Sequence, residues 1–506
     1  MPERQQEAVI HFLKTSAETG DAATPAQLIF THISVIVLRG DRAWKLKRAL
    51  RLPYLDFSTP GQRLQACEQE LRLNRRTAPA LYLAARRITR DAAGGLTLDG
   101  NGPLVDAVVE MRRFPEGSLL SDLARRGALD APLLETVAAR IAEFHAQAEI
   151  HRQTDGAARM AAVLALGEQA GAMVPAFGTE PVHALWAALR AGLARHEGLL
   201  DIRARAGRVR RCHGDLHLRN LCLLDGMPTL FDCIEFDDAL ATIDVLYDLA
   251  FLLMDLWHLQ LRAEANRILN RYLDLTDDDD GLAVLPWFMA LRATIRAQVM
   301  ATQWHAGGGT DTALHNEAAG YLALAHALLT PDTPRLLAIG GLSGTGKSTV
   351  AALLAPHIGP APGARILASD RLRKKMAGVS AQSRLPAESY TTQASQAVYA
   401  RLMEKAGAVL AGGWPVLADA VFAQPSQRDA LRACAQTAGV PFQGIWLHAP
   451  AEQLLARVAA RRNDPSDATE AVVRVQLEQH EPPEDWIMIA ADATPDISCR
   501  RILERL

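Results

Sequence analysis

HGDLHLRN, residues His213 to Asn220, and GGLSGTGKST, residues Gly340 to Thr349, decide the fold of this chain. Each is a loop suited to holding phosphates, and the two are built differently. The second fits Gly-x4-Gly-Lys-Ser with Gly341, Gly346, Lys347 and Ser348 in register, between a short strand (LLAIG) and a helical run (STVAALL). That context aims the backbone N–H groups of Leu342, Ser343, Gly344, Thr345 and Gly346, and of Ser348 and Thr349 beyond, inward at a helix N-terminus, where anions are favoured. Lys347 then reaches the β- and γ-phosphates of ATP, and Ser348 offers its hydroxyl to Mg²⁺.

The first stretch works through side chains. Asp215 is placed to accept a proton from an attacking hydroxyl. Asn220, on the far side of the same loop, offers a carbonyl oxygen to Mg²⁺, and Asp232 in FDCIEF supplies a charged oxygen that bridges metal and phosphates. Transfer of a phosphoryl group to an alcohol needs this division of labour: a positioned nucleophile and neutralised phosphates.

Composition narrows the field. A chain of 506 residues exceeds what one hydrophobic core holds. With 49% apolar and 22% charged residues it reads as a soluble globular protein. The net charge of -3 gives no general attraction to a polyanion, and aromatics at 5% leave little to interleave with bases, so nucleic acid is a poor partner. The opening MPERQQEAVIHFLK lacks the apolar run of a secretory leader. Val245 to Leu259 is the greasiest stretch, but Asp248 and Asp255 interrupt it, so no membrane span is expected. Six cysteines without a Cys-x-x-Cys pair suit a reduced, cytoplasmic setting, with Cys212, Cys222 and Cys233 around the first motif read as packing residues.

Two domains follow. Residues 1–330 are expected as an α+β domain, with a small β lobe at about 25–115 and a helical lobe at about 116–330. PDTP at Pro331 to Pro334 marks a linker over 331–335. Residues 336–506 alternate short strands and helices as an α/β domain with a parallel sheet, its strands at Leu336–Gly340, Ile366–Ser369, Val416–Ala418 and Gly444–His448. In the β lobe, Thr31 to Leu50 reads as two strands about Gly40–Asp41, and Gly61 to Thr77 as a helix. The run Asp277 to Asp280 is expected as a solvated loop.

On HGD, Asn220 and Asp232, residues 25–330 resemble the aminoglycoside phosphotransferase-like kinases, relatives of the eukaryotic protein kinases. The resemblance implies that Lys45 or Lys47 pairs the α- and β-phosphates, steadied by Glu70 or Glu68. Lys45 and Lys47 share a strand face, so spacing does not choose between them. It also implies a hinge beside adenine at Val109 to Met111, and a bracing role for Asp248 under the catalytic loop. Two features depart from the family pattern: no Gly-x-Gly-x-x-Gly precedes the lysines, and the segment after Asp232 is unusually acidic. There Glu235 either touches a second metal or fixes the loop. His145 reads as a core or capping histidine and His217 as one that orders the motif.

Residues 336–506 resemble the small P-loop kinases, including gluconate kinase, polynucleotide 5′-hydroxyl kinases and zeta-toxin-like kinases. By that resemblance Asp370 in ASDRLRKKM takes the acceptor's proton, and Arg371, Arg373 and Lys374 bind an anionic group. Asp419 at the end of VLADAVF lies near Mg²⁺ or substrate, and Arg457, Arg461 and Arg462 form the lid that clamps the phosphates. Tyr390, Gln393 and Tyr399 lie where such kinases hold substrate. The expectation is a bifunctional kinase using ATP and Mg²⁺, with hydroxyl acceptors on small polar molecules. The alternatives are a regulatory or toxin-related protein with one nucleotide-sensing domain, and a nucleic-acid 5′-hydroxyl kinase.

Overall fold

The computed structural model describes residues 2–20, 25–31, 33–52, 55–461, 465–479 and 482–506, with side chains from residue 6 onward. The contacts gather into two compact units, Met1–Leu166 with His196–Leu252, and Gly167–Arg195 with Leu253–Leu506. The residues of the PDTP segment lie within the second unit.

In the first unit an antiparallel sheet runs in the order Gln27–Phe30, Ser34–Arg39, Arg42–Lys47, Leu104–Arg112, Tyr82–Arg90, Leu96–Leu98. The helix Pro60–Asn74 starts at a capping box, in which Thr59 Oγ1 accepts the Gln62 N–H and the Gln62 side chain accepts the Thr59 N–H. Once started there, its heptad-like spacing buries Arg63, Cys67, Glu70 and Asn74 on one face, so Glu70 points into the lobe. The helix Pro2–Thr15 lays Val9, Phe12 and Leu13 against Val37, Trp44, Leu46 and Val108 of the sheet. Farther along, Leu221–Leu224 and Met227–Leu230 pair as a hairpin whose Asp225–Gly226 turn is left-handed at both residues, as a tight hairpin turn requires.

The second unit holds a five-stranded parallel sheet in the order Arg365–Ala368, Val416–Asp419, Leu336–Gly340, Phe442–His448, Ile487–Ala490. The first four strands match the sequence reading, and Ile487–Ala490 is added at one edge. Leu337, Ile339, Val350, Leu354, Leu417, Ile445, Leu447 and Ile489 fill one core, as a sheet covered by helices demands. The acidic run is not a solvated loop. Asp277 carboxylate oxygens lie 2.8 Å from Lys405 Nζ and 2.6 Å from Lys375 Nζ, Asp278 is fully buried, and Asp279 lies 2.6 Å from Arg365 Nε. Its partners stand some hundred residues downstream, where a charge-run rule does not look. No helix among the described residues is long and apolar enough to cross a membrane.

Candidate active sites

In the first unit, strand alternation sends Lys45 and Lys47 to one face of Arg42–Lys47, and both reach Glu70 on the helix opposite. Lys45 Nζ sits 2.8 Å from Glu70 Oε1 and also pairs with Asp232. Lys47 pairs with Glu70 and Glu235. The difference lies in depth: the Lys47 side chain is fully enclosed and stands over the Phe57 ring, whereas Asp232, the partner of Lys45, is 37% exposed. Lys45 therefore faces the open side of the site, and Lys47 is a buried strut. Glu235 pairs with Lys47 in that strut. Glu68 is exposed, so only Glu70 meets the lysines.

Charge balance follows from this packing. Burial alone would raise the Glu70 carboxyl, but two ammonium groups prevail and hold it at about 2. At Glu235, burial prevails over the Lys47 charge and the carboxyl is raised. Burial would lower Lys45, yet Asp232 and Glu70 leave it well above the ordinary lysine range.

The loop His213 to Asn220 is held from below. Asp248 accepts the His213 N–H at 3.0 Å and the Gly214 N–H at 2.8 Å, and its Oδ2 lies 3.1 Å from His145 Nε2. His145 and Asp248, with Cys212, form a fully buried group, but Asp248 is already committed to two backbone donors. Its role is the brace that the sequence resemblance implies. His213 Nε2 lies 2.9 Å from the Phe231 carbonyl, and burial holds that imidazole below its usual range. His217 Nδ1 accepts the Arg219 N–H, ordering the turn that leads to Asn220.

Asn220 Nδ2 donates to Asp215 Oδ2 at 2.8 Å and to the Asp215 carbonyl at 3.0 Å. With its amide nitrogen so used, Asn220 could hold a cation only through Oδ1. Asp232 sits in the left-handed region at φ 62°, an uncommon conformation for a non-glycine residue, with its N–H donated to Tyr82 Oη at 3.1 Å. The adjoining Cys233 N–H donates to Asn74 Oδ1 at 2.9 Å. Met111 lies inside a central strand, in register with Ala43 on one side and Tyr82 on the other. Its peptide groups serve the sheet rather than a base, and its side chain joins the cluster of Leu224 and Phe231.

In the second unit the chain leaves Gly340 and turns sharply. Gly341 and Gly344 have φ of 137° and 91°, and a Cβ at these positions would stand 2.4 Å from the Leu447 carbonyl oxygen and 2.6 Å from that of Leu454. Only glycine allows this loop to lie so close to the neighbouring backbone. The helix Lys347–Leu354 begins directly after the loop, so Lys347, Ser348 and Thr349 occupy its first turn. Lys347 Nζ donates to the Leu342 carbonyl at 3.1 Å, which folds the ammonium over the cradle. Ser343 N–H donates to Gln476 Oε1 at 2.8 Å, from the helix Glu470–Gln479.

Asp419 ends one strand and Asp370 follows another, both at the carboxyl edge of the parallel sheet where ligands of such folds bind. Burial pushes the Tyr399 phenol up to about 12 against an opposing hydrogen bond from the Phe422 N–H, with the Asp370 and Asp419 carboxylates adding to the rise and Arg373 opposing it. Arg373 lies 4.8 Å from the centre of the Tyr390 ring and donates to the Ser389 carbonyl at 2.6 Å. Lys374 is buried and 2.5 Å from Asp467, which also accepts the Tyr390 hydroxyl and the Leu385 N–H. Arg371 Nη1 stands 3.7 Å from Asp274. Arg457 and Arg461 flank the end of the helix Ala451–Ala459, and Arg462 lies outside the described residues. Sequence reasoning missed Gln476, Asp467 and Asp274. None carries a local motif, and each gains its place only through a distant partner.

Residues 37–285 match the family described as "Phosphotransferase enzyme family", and residues 336–483 that described as "AAA domain". The chain joins a phosphotransferase domain of the aminoglycoside phosphotransferase type to a P-loop kinase domain. It is 29% identical over 448 residues, 87% of each chain, to an uncharacterized protein of Mycobacterium tuberculosis strain H37Rv. An adenylyl-sulfate kinase of Myxococcus xanthus is 31% identical over 122 residues, 24% of this chain and 62% of that one. Among solved structures, a choline/ethanolamine kinase family protein from Mesorhizobium loti is 12% identical, with a TM-score of 0.40 over 65% of this chain and 96% of that one.

Proposed function

We propose that the chain is a bifunctional ATP-dependent kinase, with one active site in a kinase-like half (residues 1–330) and one in a P-loop half (336–506), each phosphorylating a hydroxyl of a small polar molecule. The observation that carries this reading is the convergence of Asp215, Asn220 and Asp232 with the Lys45–Glu70 pair. Asp215 serves as proton acceptor for the attacking hydroxyl, Lys45 as the phosphate cation, and Glu70 as the group that aims Lys45. In the P-loop half Lys347 and the loop amides bind the triphosphate, Asp370 takes the acceptor's proton, and Arg373 attracts an anionic acceptor.

The donor sets suit Mg²⁺. Asn220 and Asp232 in one site, and Ser348 and Asp419 in the other, are hard oxygen ligands of the kind that ion takes beside phosphates. When bound, the ion supplies charge neutralisation to the phosphate oxygens. A cytoplasmic setting fits the six free thiols. The nucleic-acid kinase reading has less support, because, of its local cations, Arg371, Arg373, Lys374 and Lys375, all but Arg373 face carboxylates, at Asp274, Asp467 and Asp277.

The test is a metabolite screen for ATP consumption with the full chain, Asp215→Asn, Lys347→Ala and the double variant. Adenylyl sulfate belongs in the library because a relative carries the name adenylyl-sulfate kinase. Two acceptors, each lost in one single variant, are expected. Loss of all turnover in a single variant would instead favour one catalytic and one nucleotide-sensing domain.

A further inference from the structure

The strand Arg365–Ala368 is an edge of the parallel sheet, hydrogen-bonded to Val416–Asp419 on one side only. An open edge presents unpaired N–H and C=O groups. Here the helix Arg262–Thr276, from a stretch of sequence well before the P-loop, lies along it. Asn266, Asn270 and Asp274 stand four residues apart and so share one face of that helix. Asn270 Oδ1 accepts the Ile366 N–H at 2.7 Å, and the Ala364 carbonyl accepts from Asn266 Nδ2 at 3.1 Å and Asn270 Nδ2 at 3.2 Å. Two side-chain amides thus do for the edge what another strand would do.

The same face then engages the helix Ser369–Met376, which carries Asp370, Arg371 and Arg373. Asp274 Oδ1 lies 2.7 Å from Arg365 Nη1, its Oδ2 lies 3.7 Å from Arg371, and its carbonyl accepts from Lys375 Nζ at 2.6 Å. Arg365 is buried, and Asp274 and Asp279, both from this earlier part of the chain, are the carboxylates that pair with it.

We infer that the helix Arg262–Thr276 is a working part of the P-loop kinase: Asn270 caps the exposed end of the sheet edge, and Asp274 is a positioning residue that holds Arg371 in place beside Asp370, the proposed proton acceptor. The inference rests on the proposed role of the P-loop half for its functional meaning, while its geometry is testable with no acceptor in hand. Sequence comparison at the P-loop alone does not suggest it, since the helix falls inside the span matched to the other family.

The test uses the full chain carrying Asp232→Asn, so that Mg·ATP binding reports the P-loop site. Asn270→Ala should speed amide exchange about tenfold across residues 366–376, with ATP affinity changed less than about twofold. Asp274→Asn should raise modification of Arg371 by phenylglyoxal, mapped by mass spectrometry, by about fivefold, and Asp274→Glu should restore protection. Unchanged exchange at 366–376, an equal rise across the whole unit, or Arg371 modification that is the same in Asp274→Asn and Asp274→Glu overturns the inference. An absence of Mg·ATP binding with exchange responding as described would overturn the P-loop reading and leave only the structural part of this one, the edge capped by Asn270 and Arg371 held by Asp274, standing.

Discussion

The two proposed phosphate sites are built by opposite constructions. The P-loop cradle is contiguous: residues 341–349 supply its amides, its lysine and its hydroxyls, with glycines where the loop presses on neighbouring carbonyls. The site of the first unit is assembled from segments up to 190 residues apart, and Lys45, Lys47, Glu70, Asp232 and Glu235 neutralise one another. Backbone dipoles carry no net charge into the interior, so a cradle of amides stands without counter-ions. Buried side-chain charges do not, since each must be paired or it is costly. The first site is therefore fragile to substitution at positions that never touch substrate, and the second is sensitive chiefly within its own loop.

Five experiments press on that difference, from the largest expected effect to the smallest. Lys347→Ala removes the cradle's lysine and should cut turnover at the P-loop site roughly 10³-fold, measured as acceptor-dependent ATP consumption in an Asp215→Asn background. Retained turnover would show that the loop is not the phosphate site.

At the first site, Asp215→Asn should lower turnover about 10²- to 10³-fold while Mg·ATP affinity holds, because the proton acceptor is lost and the phosphate groups are kept. Asp232→Asn should weaken Mg·ATP binding instead. Calorimetry that shows equal losses of affinity in both variants would break this division of roles.

Glu70→Gln probes the buried network itself. It keeps the shape but leaves two lysines to share Asp232 and Glu235, and should cost roughly 3 kcal/mol of stability in the first unit. Exchange at the amides of Pro60–Asn74 gives the readout, and no change there would mean the pairs contribute nothing. The companion pair Lys45→Met and Lys47→Met sharpens the choice that strand spacing leaves open. The first should raise the KM for ATP about tenfold or more, and the second should lower stability with that KM nearly unchanged. The reverse pattern would exchange the two roles.

The smallest effect concerns acid. Burial would raise the Asp277 carboxyl, but hydrogen bonds and charge from Lys375 and Lys405 hold it down at about 2, and Asp279 is likewise held low beside Arg365 and Lys405. A carboxylate whose pKa is depressed on folding stabilises the fold above its unfolded value near 4, and that contribution disappears as pH falls toward 2. The melting temperature of the second unit should therefore fall across this window, and Asp277→Asn should flatten the fall. An identical acid limb in the variant would remove Asp277 from the account.

Much of this was legible in the chain, for reasons that differ by site. The P-loop shows because its parts are adjacent and because a strand before and a helix after it are the context its geometry needs. Asp215, Asn220 and Asp232 show because a short hairpin brings them together within 18 residues, so local spacing still encodes the site. Four of the five strands of the parallel sheet show by their apolar runs. IMIA at Ile487–Ala490 does not, being short and preceded by a polar, proline-containing stretch.

What sequence alone determined is therefore the pair of families, the alternation of elements, and the local spacing within one loop or one hairpin that puts the proposed cradle, proton acceptor and oxygen ligands near one another. Tertiary structure decided which of two equivalent lysines faces the open site, because Glu70 and Glu235 approach from elements whose distance along the chain carries no signal. It also decided that Asp277 to Asp280 is an anchor, and that Asn270 closes the edge of a sheet whose strand begins 95 residues later. Electrostatic pairing and edge protection depend on distance in space, and the chain records only distance along itself.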